Sequence, residues 1–465
     1  MQVAPKSCIV EVDARNFEIV WPNLQNDMRN ATFMSLDTEM SGLGSNSHIF
    51  QSNADDRYKA LRLAAETRSL ISIGISCFKY IGNNEMNETD CTETSNMISY
   101  HANVYNILLL CDDSFTIDPS AVSFLVKHGF NFNLQFSKGL KYKKGDFNPK
   151  KSRSDDSHSS ARKIFNEIIR VRKPIVFHNG FADLVFLYQC FYASCPKKLS
   201  VFLADVSEIF PSGIYDTKVI VHLLEKFNSS FLEYVCKSYQ TLNHRRSAKS
   251  KPHILLTLGE NNSSIEEFIG LVPSIESEAM DFKVCLNFAK YGWCKNSEKC
   301  NLSHNISDII AQELIGKRKK SKKRKHSNES SDADDSTPCN GQSDTKTMKM
   351  NVEEQTLNLE DKTVDEKHTQ GTVCHRAGLD SLLTGYSFAV FTAIHSTNEQ
   401  KHNESESLTP STFSSILPHL CDSFKSSIKN KVYLNGKNNT LWITKSHFSK
   451  TSQSHEDNIL RIFLE

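Results

Sequence analysis

The sequence predicts an α/β fold with a mixed sheet and flanking helices, interrupted by a small cysteine-rich insertion and a long polar tract. Three observations carry this expectation. Isolated strand-like runs come first and helix–strand alternation follows, an order that gives a mixed rather than a purely parallel sheet. Core-like sequence fades after about residue 245 and returns at residue 375. Between them, residues 326–370 are Ser, Asp, Glu, Lys, Thr and Asn with almost no aromatics. Such a segment buries too little apolar surface to offset its ordering entropy, so disorder is expected there.

The elements follow in order. Residues 32–36 read as a strand, and 54–66 as a helix with Leu61, Ala64 and Ala65 on one side. Residues 70–78 and 104–110 read as strands, and 122–130 as a short helix ending at Gly129. The Lys-, Ser- and Asp-rich stretch 143–161 reads as an exposed loop. A helix over 160–172 stops at Pro174; a buried strand 175–178, an Asn179-Gly180 turn and a strongly apolar helix 181–192 follow. Residues 215–227 begin as a strand and continue as a helix. Beyond the polar tract, 375–394 is helical, and 431–436 and 441–444 are strand-like.

Gross composition excludes little. The net charge of +1 over 465 residues points to no partner by itself, and 38% hydrophobic residues is low for a compact protein. The continuous apolar runs are too short to span a bilayer. The first 25 residues carry scattered acids and no continuous apolar stretch, which argues against a secretory signal. Thirteen cysteines in such a chain suggest thiols or metal ligands rather than disulfides.

The stretch FMSLDTEMSGLG (33–44) places Asp37 and Glu39 two apart. On a strand they share a face and could share a cation. Alone the pair is weak, because Asp-x-Glu occurs by chance about once in a chain this long. Asp183 lies in the first turn of an apolar helix, where an acid also simply favours the helix N-terminus. Asp380 is harder to dismiss, since it sits between Leu379 and Leu382-Leu383 in a helix with few other charges. His375 precedes it by five residues. On one continuous helix the two would diverge by about 140°, so His375 is expected in the turn before the helix, leaning over the same site. Four acids from three segments and a histidine match a pair of divalent cations clamping a phosphate, with the histidine as proton acceptor. Hard oxygen ligands suit Mg²⁺ or Mn²⁺.

Cys285, Cys294, Cys300 and His304 have the spacing C-x8-C-x5-C-x3-H, the most specific local signal in the chain. Three thiolates and an imidazole make a closed tetrahedral Zn²⁺ site. Phe288, Tyr291 and Trp293 lie between the first two ligands, where they could stack on bases or form the miniature core of the finger. The run KRKKSKKRK (317–325), beginning with Lys317 and Arg318, has eight basic residues in nine. It reads as a nuclear-import signal for an import receptor, as a phosphate-binding arm, or as both.

FMSLDTEMSGLG, HNGFADLVFLYQCF and HRAGLDSLLTGY together resemble the three exonuclease motifs of the DEDD superfamily, histidine branch, and most closely the poly(A)-specific 3′-exoribonucleases of the CAF1 and PARN type. RYKALRLAAETRSLISIGISCF and FPSGIYDTK add to the resemblance. It implies a ribonuclease H-like fold, with Asp37, Glu39, Asp183 and Asp380 as Mg²⁺ (or Mn²⁺) ligands and His375 as general base. Met40 stands where many relatives carry another apolar residue near the terminal nucleotide. Asp216, in the YDTK stretch, reads as structural rather than as a ligand. The implied domains are a first nuclease part over 22–270, a CCCH finger over 281–307, a basic run and disordered tract over 315–370, and a last nuclease part over 371–455. The implied function is 3′→5′ trimming of adenosine-rich, single-stranded RNA 3′ ends, including those of small nuclear RNAs. Nuclear residence is expected, in Cajal bodies and nuclear speckles. The rival readings are a catalytically silent RNA adaptor and a DNA exonuclease on the same fold.

Overall fold

The computed structural model describes residues 8–45, 51, 53–82, 96–146, 159–225, 227–265, 283–296, 299–316, 376–395, 422–434 and 440–464. His375, the run 317–325 with Lys317 and Arg318, and the tract 326–370 lie outside the described residues. The chain divides into two compact units, Met1–Ile310 with Cys374–Glu465, and Ala311–Val373. All elements discussed here belong to the first.

Its strands are β1 (Ile9–Val12), β2 (Phe33–Met40), β3 (Leu70–Gly82), β4 (Met97–Cys111), β5 (Leu140–Tyr142), β6 (Ile175–Phe177), β7 (Ile214–Asp216), β8 (His253–Leu258), β9 (Ser263–Ser264), β10 (Lys431–Tyr433) and β11 (Thr440–Trp442). One sheet runs β7-β6-β2-β3-β4-β8-β9, with β1 and β5 also paired to β4. The β2–β3, β3–β4 and β8–β9 pairs are antiparallel; β2–β6, β6–β7 and the pairs of β4 with β1, β5 and β8 are parallel. The mixed sheet expected from the sequence is therefore present, with helices on both faces.

The strands are longer than their apolar runs suggest. β2 continues to Met40 and takes both acids inside the strand, and β4 begins at Met97 rather than residue 104. The early half of β4 alternates buried and partly exposed positions and is held by β8, a partner not legible as a strand. Several helices were also illegible locally, among them Phe17–Asn30, Leu199–Ile209, Leu232–Ser247 and Gln453–Leu464. The apolar helix 181–192 is α-helical to Leu187 and then widens into a π-turn over Tyr188–Tyr192.

The two faces of β2 have different neighbours. Met34 and Leu36 join one core, which includes Trp21, Phe165, Phe186 and Phe202. Phe33 joins the other, under the helix Ala377–Ile394. That helix is long and apolar enough to cross a membrane, an exception to the short apolar runs noted above. Every residue from Ala377 to Ala393 is buried, however, and it serves as the central helix of the protein core.

Glycine permits the close approach of this helix to the sheet. A Cβ on Gly74 would lie 1.8 Å from the carbonyl oxygen of Ala377, and one on Gly385 would lie 2.1 Å from the Phe78 ring. Phe33 packs edge-on to Phe388, Ser35 Oγ donates to the Ser381 carbonyl (2.7 Å), and the Ser76 and Ser381 hydroxyls meet at 2.7 Å. Gly74→Ala should therefore lift the start of the helix from β3. The expected loss is about 1–3 kcal/mol of stability in urea unfolding, together with weaker divalent-cation binding. Unchanged values of both would mean the contact is easily relieved.

Candidate active site

Strand alternation places Phe33, Ser35, Asp37 and Glu39 on the face of β2 that the helix Ala377–Ile394 covers. Following the helix toward its N-terminus, Phe388 meets Phe33, Ser381 meets Ser35, and Asp380 meets the two acids. Carboxylate oxygens of Asp37, Glu39 and Asp380 all lie within 4.8 Å of one another. The β2–β3 register shifts between Glu39 and Met40. Such a bulge re-aims side chains at the end of a strand, as is common beside functional sites.

Asp183 lies outside that group and approaches the strand from the other face. Thr38, between the two acids, points to that side and donates its hydroxyl to Asp183 Oδ1 at 2.6 Å. The helix Phe181–Leu187 carries Asp183 in its first turn, straight after the β6 turn. Asp216 fixes that turn. Its carboxylate accepts the backbone N–H groups of Asn179 (2.8 Å), Gly180 (3.2 Å), Lys218 (2.9 Å) and Tyr433 (2.9 Å). With four amides on it, Asp216 is a structural clamp joining the turn, β7 and β10.

The helix bearing Asp380 is anchored at its start. Asn106 Oδ1 accepts the Gly378 N–H (3.1 Å), Asn106 Nδ2 donates to Glu11 (2.7 Å), and Glu11 also pairs with Arg376 (3.1 Å). Thr38, Asn106 and Glu11 were not singled out in the sequence. For Thr38 the signal was available, because alternation turns the residue between two acids toward the opposite face. Asn106 and Glu11 become neighbours of Gly378 only through the pairing of β1 with β4.

Electrostatically the acids oppose one another. Burial, and then repulsion from Asp380, Asp183 and Glu39, push the Asp37 carboxyl well above the usual carboxylate range. Burial raises Asp183 to about 6 against the Thr38 hydrogen bond, which favours its ionised form. Convergent hard oxygens under mutual repulsion fit a divalent cation, and Asp37, Glu39, Asp183 and Asp380 are the residues that would hold it.

A second cluster lies in the finger, where ligand atoms of Cys285, Cys294, Cys300 and His304 also fall within 4.8 Å of one another. The Phe288 N–H facing the Cys285 sulfur lowers that thiol's pKa and favours the thiolate. His304 Nε2 is buried with no hydrogen-bond partner among the described residues, as a metal-ligating nitrogen would be before its ion binds. The donor set fits Zn²⁺. Phe288 stacks on the His304 ring at 4.5 Å and meets Phe231 edge-on at 6.0 Å, so it packs inside the finger and against the main body. Tyr291 and Trp293 are 52% and 63% exposed and face outward.

A family model described as CAF1 family ribonuclease matches residues 12–159 and 143–388, which together are most of the chain. The chain belongs to the CAF1 family of ribonucleases. Curated relatives match shorter stretches. An uncharacterized protein of Schizosaccharomyces pombe is 31% identical over 134 residues, 29% of this chain and 30% of its own length. The pre-piRNA 3′-exonuclease trimmer of Bombyx mori is 40% identical over 55 residues, 12% and 10% of the two chains. The poly(A)-specific ribonuclease PARN of Danio rerio is 25% identical over 146 residues, 29% and 20% of the two. The chain thus spans less than a third of the length of each. Among solved structures, S. pombe Pop2p in a Mg²⁺- and Mn²⁺-bound form aligns with a TM-score of 0.36 and 17% identity, over 50% of this chain and 82% of that one. In this CAF1 chain three of the motif acids, Asp37, Glu39 and Asp380, meet at the end of β2, Asp183 is joined to them through Thr38, and the motif histidine, His375, lies outside the described residues.

A raised carboxyl binds its proton more tightly in the folded than in the unfolded chain. For Asp183, raised to about 6, the contribution therefore falls as pH rises from about 3.9 toward 6 and is lost above that. Without metal at pH 7.5 the cluster is a destabilising element. Asp37→Asn is expected to melt a few °C higher than wild type in metal-free buffer, about 1 kcal/mol for a domain of this size. Mg²⁺ should raise the melting temperature of wild type alone. Equal responses of the two proteins to Mg²⁺ would remove these acids as the cation site. Separately, Cys300→Ser should abolish zinc retention measured by metal analysis after dialysis, and retention in that variant would refute the ligand set.

Proposed function

We propose that this CAF1-family chain is a metal-dependent 3′→5′ exoribonuclease that trims adenosine-rich 3′ tails of nuclear RNAs, small nuclear RNAs among them. The observation that carries the reading is the meeting of Asp37, Glu39 and Asp380 within 4.8 Å, with Asp183 hydrogen-bonded to the residue between the first two. Similarity to a poly(A)-specific ribonuclease and a 3′-exonuclease supports the polarity and the tail.

Two Mg²⁺ or Mn²⁺ ions, when bound, would supply an activated water and charge neutralisation at the scissile phosphate. The chain's own residues do the rest. Asp37, Glu39, Asp183 and Asp380 fix the cation positions, and Thr38 and the Asp216 clamp fix Asp183. Asn106 and Glu11 fix the start of the helix carrying Asp380. His375, one residue before the Glu11 partner Arg376, accepts the proton of the attacking water. The finger, loaded with Zn²⁺, offers Tyr291 and Trp293 to unpaired bases, and Lys317 and Arg318 open a basic run for phosphates and for an import receptor. The basic run supports nuclear residence, and the family resemblance implies Cajal bodies and speckles.

The test is a 5′-labelled RNA ending in adenosines, incubated with Mg²⁺ or with EDTA, beside a matched DNA. Wild type should give a ladder of 3′-shortened RNA that requires the metal. Loss of groups that merely orient metal ligands costs 10–100-fold, so Asp37→Ala should lose more than about a hundredfold. No ladder from folded, metal-supplied protein would leave an RNA adaptor, and equal cleavage of the DNA would overturn the RNA assignment.

A further inference from the structure

The finger is docked on the nuclease body, and it is docked on the segment that braces the Asp183 turn. Ser229 Oγ donates to the Lys290 carbonyl at 2.8 Å. Phe231 meets Phe288 edge-on at 6.0 Å. Gly292, at φ +74°, brings the finger backbone so close to Phe231 that a Cβ there would lie 2.8 Å from the ring. Between these contacts, the Ser230 carbonyl accepts from His178 Nε2 at 3.0 Å. His178 is held neutral, its pKa lowered to about 3 by burial and then by the nearby Lys218 charge, so Nε2–H can donate while Nδ1 pairs with Thr217 (2.8 Å). His178 is the residue before Asn179, whose N–H is clamped by Asp216. Finger, bracing segment and catalytic turn are thus joined by short polar contacts and one aromatic pair.

Docking leaves several finger side chains open to solvent. Tyr291 and Trp293 are exposed, as is Leu286 at 79%. Lys283, Lys290, Lys295 and Lys299 are all exposed, and Lys290 lies over the Tyr291 ring at 5.0 Å. Outward aromatics with exposed lysines beside them are what a single strand needs, with stacking for its bases and positive charge for its backbone.

We propose that the docked finger is a ruler: it holds the upstream strand at a fixed path length from the acids, and this sets the RNA length at which trimming stalls. The proposal rests on the exoribonuclease reading above. An RNA long enough to span both sites gains the finger's contacts, and one shorter than the path loses them. Because the finger is fixed to the body rather than tethered by a flexible linker, that loss comes at one length rather than over a broad range.

The test is a series of adenosine oligomers from three nucleotides upward, trimmed with Mg²⁺ and also bound at equilibrium by the Asp37→Ala chain. Wild type should show a step of about tenfold or more in KM and Kd at one length, with products piling up just below it. Tyr291→Ala with Trp293→Ala should abolish the step. Phe231→Ala, which undocks the finger without touching a zinc ligand, should keep its zinc and its activity on the shortest oligomers while the pile-up spreads over several lengths. Ser229→Ala removes only the hydroxyl bond to Lys290 and should broaden the pile-up in the same sense, which covers the case in which Phe231→Ala fails to fold. An unchanged, sharp pile-up in a zinc-loaded docking variant, or a step that survives the aromatic double substitution, overturns the ruler. Absence of trimming of even the shortest oligomers by wild type would instead remove the exoribonuclease reading, and the ruler with it.

Discussion

The site depends on how closely one helix lies on the sheet. Asp380 can join Asp37 and Glu39 only if the backbone of Ala377 touches β3, and it does so because position 74, opposite Asp37 in the β2–β3 register, has no side chain. The approach is then fixed by contacts of several kinds. Hydroxyls of Ser35 and Ser76 engage Ser381, Asn106 ties the Gly378 amide to Glu11, and Phe33 and Phe388 pack edge to face. Ser35, Ser76, Ser381, Asn106 and the Gly378 amide are paired across this seam, which fixes the depth and rotation of the helix near its start. The repulsion among the acids is therefore sustained by the fold. Left to local preference the carboxylates would separate, and the packing that prevents this also prepares the site for a cation.

The acids enter from two faces of one strand, which explains why a buried threonine sits between two of them. Asp37 and Glu39 face the central helix, while Thr38 faces the helix Phe181–Leu187 and takes Asp183 through its hydroxyl. The end of β2 is thus the line along which both helical layers converge. Asp216 serves the same end from a distance. Its four amide contacts hold the β6 turn at one edge and the β10 hairpin at the other, so the first turn of the Asp183 helix cannot drift.

The sequence was legible where chemistry and local pattern coincide. FMSLDTEM shows its acids and its alternation at once, and the C-x8-C-x5-C-x3-H spacing needs no partner to be read. The apolar helix read at 375–394 was found through its hydrophobicity, and among the described residues it spans Ala377–Ile394. What was missed depends on long-range pairing. The first half of β4 alternates too weakly to stand out until β8 and β3 flank it, and β1 is a four-residue strand that matters through its pairing at Val104–Ile107. Phe288 shows a limit of another kind. Exposed and packed aromatics look alike in a finger sequence, and only the positions of His304 and Phe231 show that its ring is already engaged.

The long separation between Asp183 and Asp380 is less of an obstacle to the fold than it looks. Closing a flexible connection costs only about 0.6 kcal/mol more for each doubling of its length, so a finger and a polar tract can be carried between two core elements at small thermodynamic expense. What must be supplied is a segment that returns with enough apolar surface to insert, and Ala377–Ala393, buried along its whole length, supplies it. An insertion of this kind also has a geometric consequence. The bracing segment 229–231 follows the β7–Leu223 stretch in sequence and touches the catalytic turn through His178, and the finger lies within reach of it along the chain. The finger therefore rests on a part of the core that the catalytic turn already holds in place. Its position is linked to the Asp183 turn through the bond between His178 and the Ser230 carbonyl.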